Sequence, residues 1–295
     1  MLKMSNTNNL PATAADLTPE MMKLLGTTAP TGGETERLPQ LKINSKRKDK
    51  QNRKVPQGHF FVSGLESQNE LVYAESVKLR VLSQLYQWIH YDPEQNKVTN
   101  KTILIPSFNH EARDMGGTTR CGKPTSKDLR EMSKAQQAKY SDIRCFRQLR
   151  GLVSYTGQTA DGEQVTLENV PCILLLKGSN FSPFEDDMVK TLPRGKNFYD
   201  YWCDVTAEER ENGSVTYYVM RFSPNYAEPA PLDKPTIDTM LHMATLVKQE
   251  NERIEKAYDK ALANEKGIQT AVNALAKSAL DSDFEDVDDD DVEYA

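Results

Sequence analysis

The sequence lacks several features that would assign a chain to a familiar class. None of its 295 residues belongs to a run of the ~18 apolar positions that a membrane-spanning helix requires. Residues 1–9 contain one Lys and no apolar core, so a secretory signal is not expected. The cysteines have no paired spacing, which argues against a disulfide framework and favours a reducing compartment. They are Cys121, Cys145, Cys172 and Cys203. We therefore expect a cytoplasmic protein without a membrane partner.

Short motifs that mark common catalytic and cofactor sites are also missing. The chain has no nucleophile elbow, no phosphate-binding loop and no glycine-rich dinucleotide turn. His110, Cys121 and Cys145 are close in sequence, but zinc sites usually contain paired spacings such as Cys-x2-Cys. The adjacent carboxylates of residues 185–187 cannot all point into one site, so they do not indicate a nuclease. We expect no metal, no cofactor and no enzymatic activity.

The net charge of −6 is unevenly distributed. Residues 281–295 contain nine acidic side chains and no Lys or Arg, whereas residues 37–226 carry 28 basic and 22 acidic side chains. Such a tail is typical of a disordered solubilising segment, or of a docking peptide that also competes with nucleic acid for the basic body. Two aromatic residues in the tail favour docking. The residues expected to bind a partner are Asp281, Asp283, Phe284, Glu285, Asp286, Asp288, Asp289, Asp290, Asp291, Glu293 and Tyr294.

Composition and turn signals divide the chain into four parts. Residues 1–36 predict a mostly disordered arm, in which residues 18–26 favour one short helix. Residues 37–226 predict a mainly β domain, residues 236–280 a helical extension and residues 281–295 the acidic tail. The strongest hairpin signal is Asn212-Gly213. The predicted strands are residues 40–44, 59–63, 72–91, 101–106, 146–155, 164–170, 172–177 and 215–222, with an inserted helix over residues 126–140 capped by Ser126.

The predicted strand at residues 75–91 has an unusual pattern. Apolar residues alternate along one face, with Ser83 and Gln87 as exceptions. The opposite face would carry two cations followed by aromatic rings, namely Lys78, Arg80, Gln84, Tyr86, Trp88 and His90. Single-stranded nucleic acid is bound by this combination, because cations neutralise phosphates and rings stack on unpaired bases. The alternative is that Tyr86 and Trp88 pack inside a barrel while the two cations are only solvated.

Two further basic segments support binding to nucleic acid. Arg144, Phe146, Arg147 and Arg150 lie directly before a strand that contains Tyr155. Residues 46–54 have no apolar side chain and predict a solvated loop that would follow a phosphate backbone without reading its sequence. The basic residues expected to act there are Lys46, Arg47, Lys48, Arg53 and Lys54. An ordinary surface loop is the alternative.

Three segments carry a resemblance to a known family. Residues 38–44, residues 120–124, and Cys145-Phe146-Arg147 followed by residues 151–153 are similar to stretches of the single-stranded DNA-binding proteins of tailed bacteriophages. The resemblance implies an oligonucleotide-binding (OB-fold-like) barrel that coats exposed strands during DNA replication, recombination and repair. It also implies an acidic tail that recruits a polymerase, helicase or primase. The chain departs from the family in its last residues, Glu293-Tyr294-Ala295, and in the long helical extension.

The sequence thus favours a non-catalytic, sequence-independent binder of single-stranded DNA in the host cytoplasm. Lys78, Arg80, Arg144, Arg147, Arg150 and the basic loop would contact phosphates, while Tyr86, Trp88, Phe146 and Tyr155 would stack on bases. One alternative is an assembly protein whose helical extension forms a homo-oligomer. Another is an RNA-binding or transcription-modulating protein, since stacking and phosphate contacts serve both nucleic acids.

Overall fold

The computed structural model describes residues 37–65, 70–108 and 111–263. The predicted helix at residues 18–26, His110, the end of the helical extension and the acidic tail lie outside these ranges. The described strands are β1 (Gln40–Ile43), β2 (Phe60–Ser63), β3 (Ser76–Asp92), β4 (Lys97–Lys101), β5 (Ile143–Gln158), β6 (Gln164–Leu176), β7 (Cys203–Asn212) and β8 (Val215–Pro224). The described α-helices are α1 (Ser126–Glu131), α2 (Lys134–Ala138) and α3 (Lys234–Ala263).

The described strands form one sheet in the order β2-β1-β6-β5-β3-β7-β8, with β4 paired to β3. Apart from the parallel pair β1–β6, neighbouring strands are antiparallel. Single bridges from Phe60 to Ala74 and from Tyr73 to Gln158 connect β2 to the end of β5, so the sheet curls into a half-barrel. The prediction of a mainly β domain is confirmed, and so is the hairpin, because Asn212 pairs with Val215.

Several predicted elements were wrong in detail. The strand predicted at residues 101–106 is β4, which ends at Lys101; Thr102 and Ile105 continue only as single bridges. The two strands predicted around Pro171 are one strand, β6, and β7 was not predicted. The predicted helix at residues 126–140 is two short helices. Their N-caps are Thr125 and Ser133, whose side chains each accept the backbone N–H group three residues further on.

A β-bulge in β3 sets the faces of the two longest strands. Val81 pairs with Gly151 and Ser83 with Arg150, so Leu82 has no partner on β5. On β5, Leu149 and Val153 lie in the main core, and this defines the inner face of the sheet. Leu152 packs on the outer face with Leu82 and with Met243 of α3. Because β3 gains one residue at the bulge, residues beyond it change face relative to those before it.

Side chains cover the exposed edge of β8. The amide of Asn180 donates to the carbonyl of Tyr218 over 3.0 Å, and its oxygen accepts the backbone N–H of Met220 over 2.6 Å. A carboxylate oxygen of Asp187 accepts the N–H of Phe222 over 3.1 Å. Three backbone groups at this edge are therefore hydrogen-bonded although β8 has a neighbour on one side only among the described strands.

Helix α3 lies across the outer face and is held there by a buried ionic cluster. Glu250 contacts Lys101 at 3.2 Å and Arg150 at 3.6 Å, and it accepts a hydrogen bond from Gln87 at 3.1 Å. Asn251 forms hydrogen bonds with both backbone groups of Leu104. The contacts to β3, β4 and β5 explain why α3 adopts a fixed position despite its many charged residues.

We expect Gly151→Ala to destabilise the protein by about 3 kcal/mol, because overpacking shifts the backbone. A Cβ at this position would lie 2.1 Å from the carbonyl oxygen of Arg80, which is far inside van der Waals contact. Urea unfolding measures the loss. The control is Gly178→Asn, since Gly178 has φ of +52° and open space around it, and Asn tolerates this conformation. Equal stability of the two variants would contradict the close approach of β3 and β5.

We expect Glu250→Gln to cost about 3 kcal/mol of unfolding free energy, because the buried cations Lys101 and Arg150 would lose the negative charge of Glu250. Burial raises the pKa of Glu250, but Lys101, Gln87 and Arg150 together outweigh it and hold the pKa below the ordinary value of 4.5. This contribution to stability is therefore present above about pH 4.5 and is lost as the pH falls below it.

Urea unfolding between about pH 3 and pH 7 tests this linkage. The matched control is Glu252→Gln, whose exposed carboxylate lies 3.8 Å from Lys248 and should contribute less than ~1 kcal/mol. A Glu250→Gln protein that loses as much stability in acid as the unmodified protein would show that Glu250 does not cause the acid sensitivity.

Candidate nucleic-acid interface

The bulge at Leu82 divides the predicted cationic and aromatic face of β3. Lys78 and Arg80 precede it, and Arg80 pairs with Leu152 on the outer face. Tyr86 and Trp88 follow it and pair with Arg147 and Cys145 on the inner face. The prediction that the two cations and the two rings share one face was therefore wrong, because the period-two pattern does not continue through an unpaired residue.

Arg80 is a structural residue in the described fold. Its Nε donates to the carbonyl of Tyr199 over 2.9 Å, and its Nη2 donates to those of Ala230 and Pro231 over 2.8 and 3.0 Å. Burial lowers the pKa of this guanidinium, partly offset by Asp233 and Asp200. Arg80 thus connects the loop after β8 to the sheet, whereas Lys78 is exposed on the same outer face.

Most of the predicted residues on β5 also have structural contacts. Arg150 donates to the side chain of Gln148 over 2.7 Å and contacts Glu250 beneath α3. Phe146 packs against Ile89 and Val98 on the outer face. Tyr155 lies in the main core, where its hydroxyl donates to Val72 and accepts from the N–H of Val62, each over 3.2 Å. Burial therefore contradicts a base-stacking role for Phe146 and Tyr155 in this conformation. Arg144 is half-buried.

The inner face instead forms a cluster of four aromatic rings. Phe108 lies 6.1 Å from Tyr86, 5.7 Å from Trp88 and 6.1 Å from Phe181, measured between ring centroids. Tyr86 and Phe181 are 6.0 Å apart. Tyr86 and Trp88 are buried, but the side chain of Phe108 is 40% exposed. The cluster therefore has a buried floor from β3 and an accessible ring from the loop after β4.

Three cations from two segments lie against these rings. The guanidinium of Arg147 is 5.5 Å from the Tyr86 ring and 5.0 Å from that of Phe181. Arg120 and Lys123 are each 5.9 Å from the Trp88 ring. Cation–π attraction of ~0.5–2 kcal/mol stabilises each contact. Burial lowers the pKa of Lys123, and the charge of Arg144 lowers it further. We call the four rings with Arg120, Lys123 and Arg147 the aromatic cleft.

Four buried side-chain polar atoms in or next to the aromatic cleft have no hydrogen-bond partner among the described residues. They are Nε1 of Trp88, Nε and Nη1 of Arg147, and Oε1 of Gln84. The Nη2 of Arg147 contacts Glu185 at 3.2 Å, which compensates part of its charge. Buried donors without acceptors are rare and costly in native proteins. The burial of these groups is therefore a cost that the other contacts of the cleft offset.

A series of contacts through β8 connects the end of the basic loop to the aromatic cleft. Lys46, Arg47, Lys48 and Lys54 are exposed, whereas Arg53 forms ion pairs with Asp49, Glu70 and Asp161 at 2.7, 2.7 and 2.8 Å. Arg53 therefore holds the loop in shape. Gly58, at the end of the loop, lies against the Tyr218 ring.

Tyr218 also links this region to the rings. Its pKa is raised by burial and by Glu209, and the nearby charge of Arg47 lowers it. The carbonyl of Tyr218 accepts from Asn180, which immediately precedes Phe181 of the cleft. The end of the basic loop is thus connected to Phe181 through Gly58, Tyr218 and Asn180.

Phe108, Phe181, Arg120 and Lys123 were not predicted as site residues. Phe108 and Phe181 lie in loops far apart in sequence, and no local pattern connects them. Arg120 and Lys123 lie beside Cys121 in a turn that the sequence analysis considered for its cysteine and for the family resemblance, and not for its cations. Their cationic character was visible, but their place over Trp88 depends on a backbone conformation that cannot be read from residue types.

The cysteines near the cleft are protected thiols. Burial raises the pKa of Cys121 well above its ordinary value and that of Cys145 to about 12, although Arg120, Lys123 and Arg147 lower the latter. No three His, Cys, Asp or Glu side chains are grouped to hold a metal ion in the part of the chain that the structure describes, which does not include His110.

We expect the thiols of the native protein to react slowly with a disulfide reagent at about pH 8, because the protonated thiol is a poor nucleophile. Unfolding in guanidinium should expose all four to rapid reaction. A Cys145→Ser variant identifies the contribution of that residue. Rapid labelling of Cys145 in the native protein would contradict its burial and would mean that the cleft is open to reagents.

Comparison with known proteins found no matching family model, curated protein or solved structure. Among the described helices, none is both long enough and apolar enough to cross a membrane.

Proposed function

We propose that this protein binds single-stranded DNA without sequence preference and coats it during phage DNA replication and recombination. The observation that carries the proposal is the aromatic cleft, in which four rings and three cations from separate segments converge on the inner face of a curled sheet. Oligonucleotide-binding barrels use this combination of stacking and phosphate contacts. We further propose that the half-barrel is an OB-fold-like domain.

The residues of the cleft have different roles in this proposal. Phe108 stacks on an unpaired base because its ring is accessible, and Phe181 extends the stacking surface. Tyr86 and Trp88 form the floor that holds Phe108 in place. Arg120 and Lys123 contact phosphates. The charge of Arg147, whose guanidinium lies 5.5 Å from the Tyr86 ring and 5.0 Å from the Phe181 ring, attracts phosphates at longer range.

The basic loop extends the path of the bound DNA strand. Lys46, Arg47, Lys48 and Lys54 present charge to solvent beside β8, where they can follow phosphates without contacting base edges. Helices α1 and α2, which follow Lys123 in the chain, add further exposed cations. These cations are Lys127, Arg130, Lys134 and Lys139. Duplex DNA is not expected to bind tightly, because paired bases cannot stack on Phe108.

The acidic tail serves a separate role in this proposal. Residues 281–295 compete with DNA for the cationic surface and dock on replication proteins such as a polymerase, helicase or primase. Their charge supports the competition, because a tethered polyanion acts at high effective concentration. The aromatic residues Phe284 and Tyr294 support docking.

The arrangement of α3 bears on the alternative of a helix-driven assembly protein. Met243, Ile254, Ala257 and Ala261 are buried in the described fold, and the first two pack against sheet and loop residues of the same chain. Part of the apolar surface of α3 is therefore already covered, whereas Ile237 and Leu262 are exposed. Leu241 is 63% exposed and is the most accessible large apolar residue remaining on this helix.

We expect Phe108→Ala to weaken binding of a ~30-nucleotide oligothymidylate by about tenfold, because stacking contributes ~1–3 kcal/mol per base. Fluorescence anisotropy at several salt concentrations measures affinity and its salt slope, which should be about −0.7 per phosphate contacted. Leu241→Ala removes an exposed apolar side chain from α3 and should leave binding unchanged. Lys78→Ala removes an exposed cation from the outer face and should change affinity little.

Competition with duplex DNA and with an RNA of matched sequence defines the ligand. Preferential competition by RNA would favour the RNA-binding alternative. Absence of binding to every oligonucleotide would overturn the proposal. Self-association abolished by Leu241→Ala would then favour the assembly protein.

A further inference from the structure

The turn that carries Arg120 and Lys123 has an uncommon backbone conformation. Arg120, Cys121 and Gly122 have φ values of +53°, +56° and +78°. The left-handed region costs residues with a Cβ roughly 1–2 kcal/mol each. Arg120 and Cys121 are two such residues in succession, so other interactions must offset the cost of this conformation. Strained backbone of this kind is concentrated at ligand-binding positions in proteins.

A single carboxylate supplies these interactions. Asp114 is fully buried. Its Oδ1 accepts the backbone N–H groups of Gly116 and Thr118 over 2.8 and 3.1 Å. Its Oδ2 accepts the hydroxyl of Thr118 over 2.6 Å and the N–H of Cys121 over 2.9 Å. The carboxylate therefore receives four hydrogen bonds, one of which comes from a left-handed residue.

The turn is also connected to the sheet. Thr102 forms a bridge with Asp114, and the N–H of Arg120 donates to the carbonyl of Ala112 over 2.9 Å. The sulfur of Cys121 lies 3.5 Å from the carbonyl oxygen of Trp88. Asp114 and Trp88 are thus attached to the same part of the sheet, and the cations of the turn lie over the Trp88 ring.

We propose that Asp114 is a positioning residue for single-stranded DNA: its carboxylate fixes the left-handed turn that holds Arg120 and Lys123 over Trp88. This inference rests on the proposed function. The buried carboxylate of Asp114 would therefore be necessary for the binding of DNA, although both are negatively charged. The long-range repulsion between Asp114 and DNA is small compared with the loss of two placed cations.

The variant Asp114→Asn separates the long-range effect of the Asp114 charge from the effect of Asp114 on the turn. It makes the protein more positive by one charge, so bulk electrostatics alone predicts tighter DNA binding. An Asn side chain has one acceptor oxygen, and its NH₂ group would face an N–H or O–H donor. The left-handed turn would lose part of its support, and the positioning role therefore predicts weaker binding.

We expect full-length Asp114→Asn to bind the ~30-nucleotide oligothymidylate about tenfold more weakly than the unmodified protein, with a salt slope shallower by up to ~1.4 because two phosphate contacts are lost. Thermal unfolding of each variant shows whether it is folded. The salt slope is informative because a uniform loss of folded protein would lower the active fraction without changing the slope.

A second substitution tests the turn by rescue. Cys121→Gly in the Asp114→Asn background removes the cost of a positive φ, because Gly adopts this conformation freely. We expect it to restore affinity and slope partly or fully. It places no new charge near DNA, so rescue would arise from the backbone of the turn.

Gly122→Ala perturbs the turn while retaining Asp114, and it keeps the test usable if Asp114→Asn fails to fold. Only strain is added, since the nearest non-neighbouring atom would be 4.0 Å from the new Cβ. The matched control is Gly195→Ala, with φ of +76° and open space around it. We expect weaker DNA binding for Gly122→Ala and unchanged binding for Gly195→Ala.

The outcomes distinguish this inference from the proposed function. If the unmodified protein binds no oligonucleotide, the proposed function fails and the inference fails with it. If the unmodified protein binds but Asp114→Asn or Gly122→Ala binds equally or more tightly, only the positioning role is overturned. Weaker binding by Asp114→Asn with an unchanged slope and no rescue would also overturn it, because Asp114 would then support only the fold.

Discussion

The close approach of β5 to β3 at Gly151 is the constraint on which the rest of the structure depends. A glycine at this position lets the Arg80 carbonyl lie where any other side chain would begin, and Leu82 is left unpaired beside it. The extra residue turns Tyr86 and Trp88 toward the inner face. The outer face becomes available to α3, whose Glu250 compensates Lys101 and Arg150. One local irregularity thus determines which residues form the cleft and which bind the helix.

Much of the fold could be predicted from the sequence because its signals are local. Alternating apolar residues located most of the strands, and Asn212-Gly213 located the β7–β8 hairpin. The bulge could not be located from these signals, because Leu82 is as apolar as its neighbours. The structure shows that Ser83 marks the bulge, since the apolar alternation ends where the strand changes face. Gln87 interrupts the alternation for another reason, since its side chain donates to the Thr102 carbonyl and to Glu250.

The candidate site could be predicted less well than the fold, because the sequence does not indicate which groups an arginine contacts. Arg80 and Arg147 look equivalent in sequence. Arg80 reaches carbonyl groups more than a hundred positions away, whereas Arg147 lies against aromatic rings and retains donors without acceptors. Phe108 and Phe181 were missed for the corresponding reason. Each is an isolated aromatic residue in a loop, and only the tertiary fold places them around Tyr86 and Trp88.

The side chains along β8 have a consequence for how copies of this protein can lie next to one another. An uncovered strand edge is a template for adding a strand from another molecule. Asn180 and Asp187 occupy three backbone groups of this edge, so a neighbouring copy cannot pair there without displacing them. Many copies crowded along one polymer would meet at high local concentration. Under these conditions a covered edge favours reversible contacts between surfaces and disfavours the continuous intermolecular sheets that lead to aggregation.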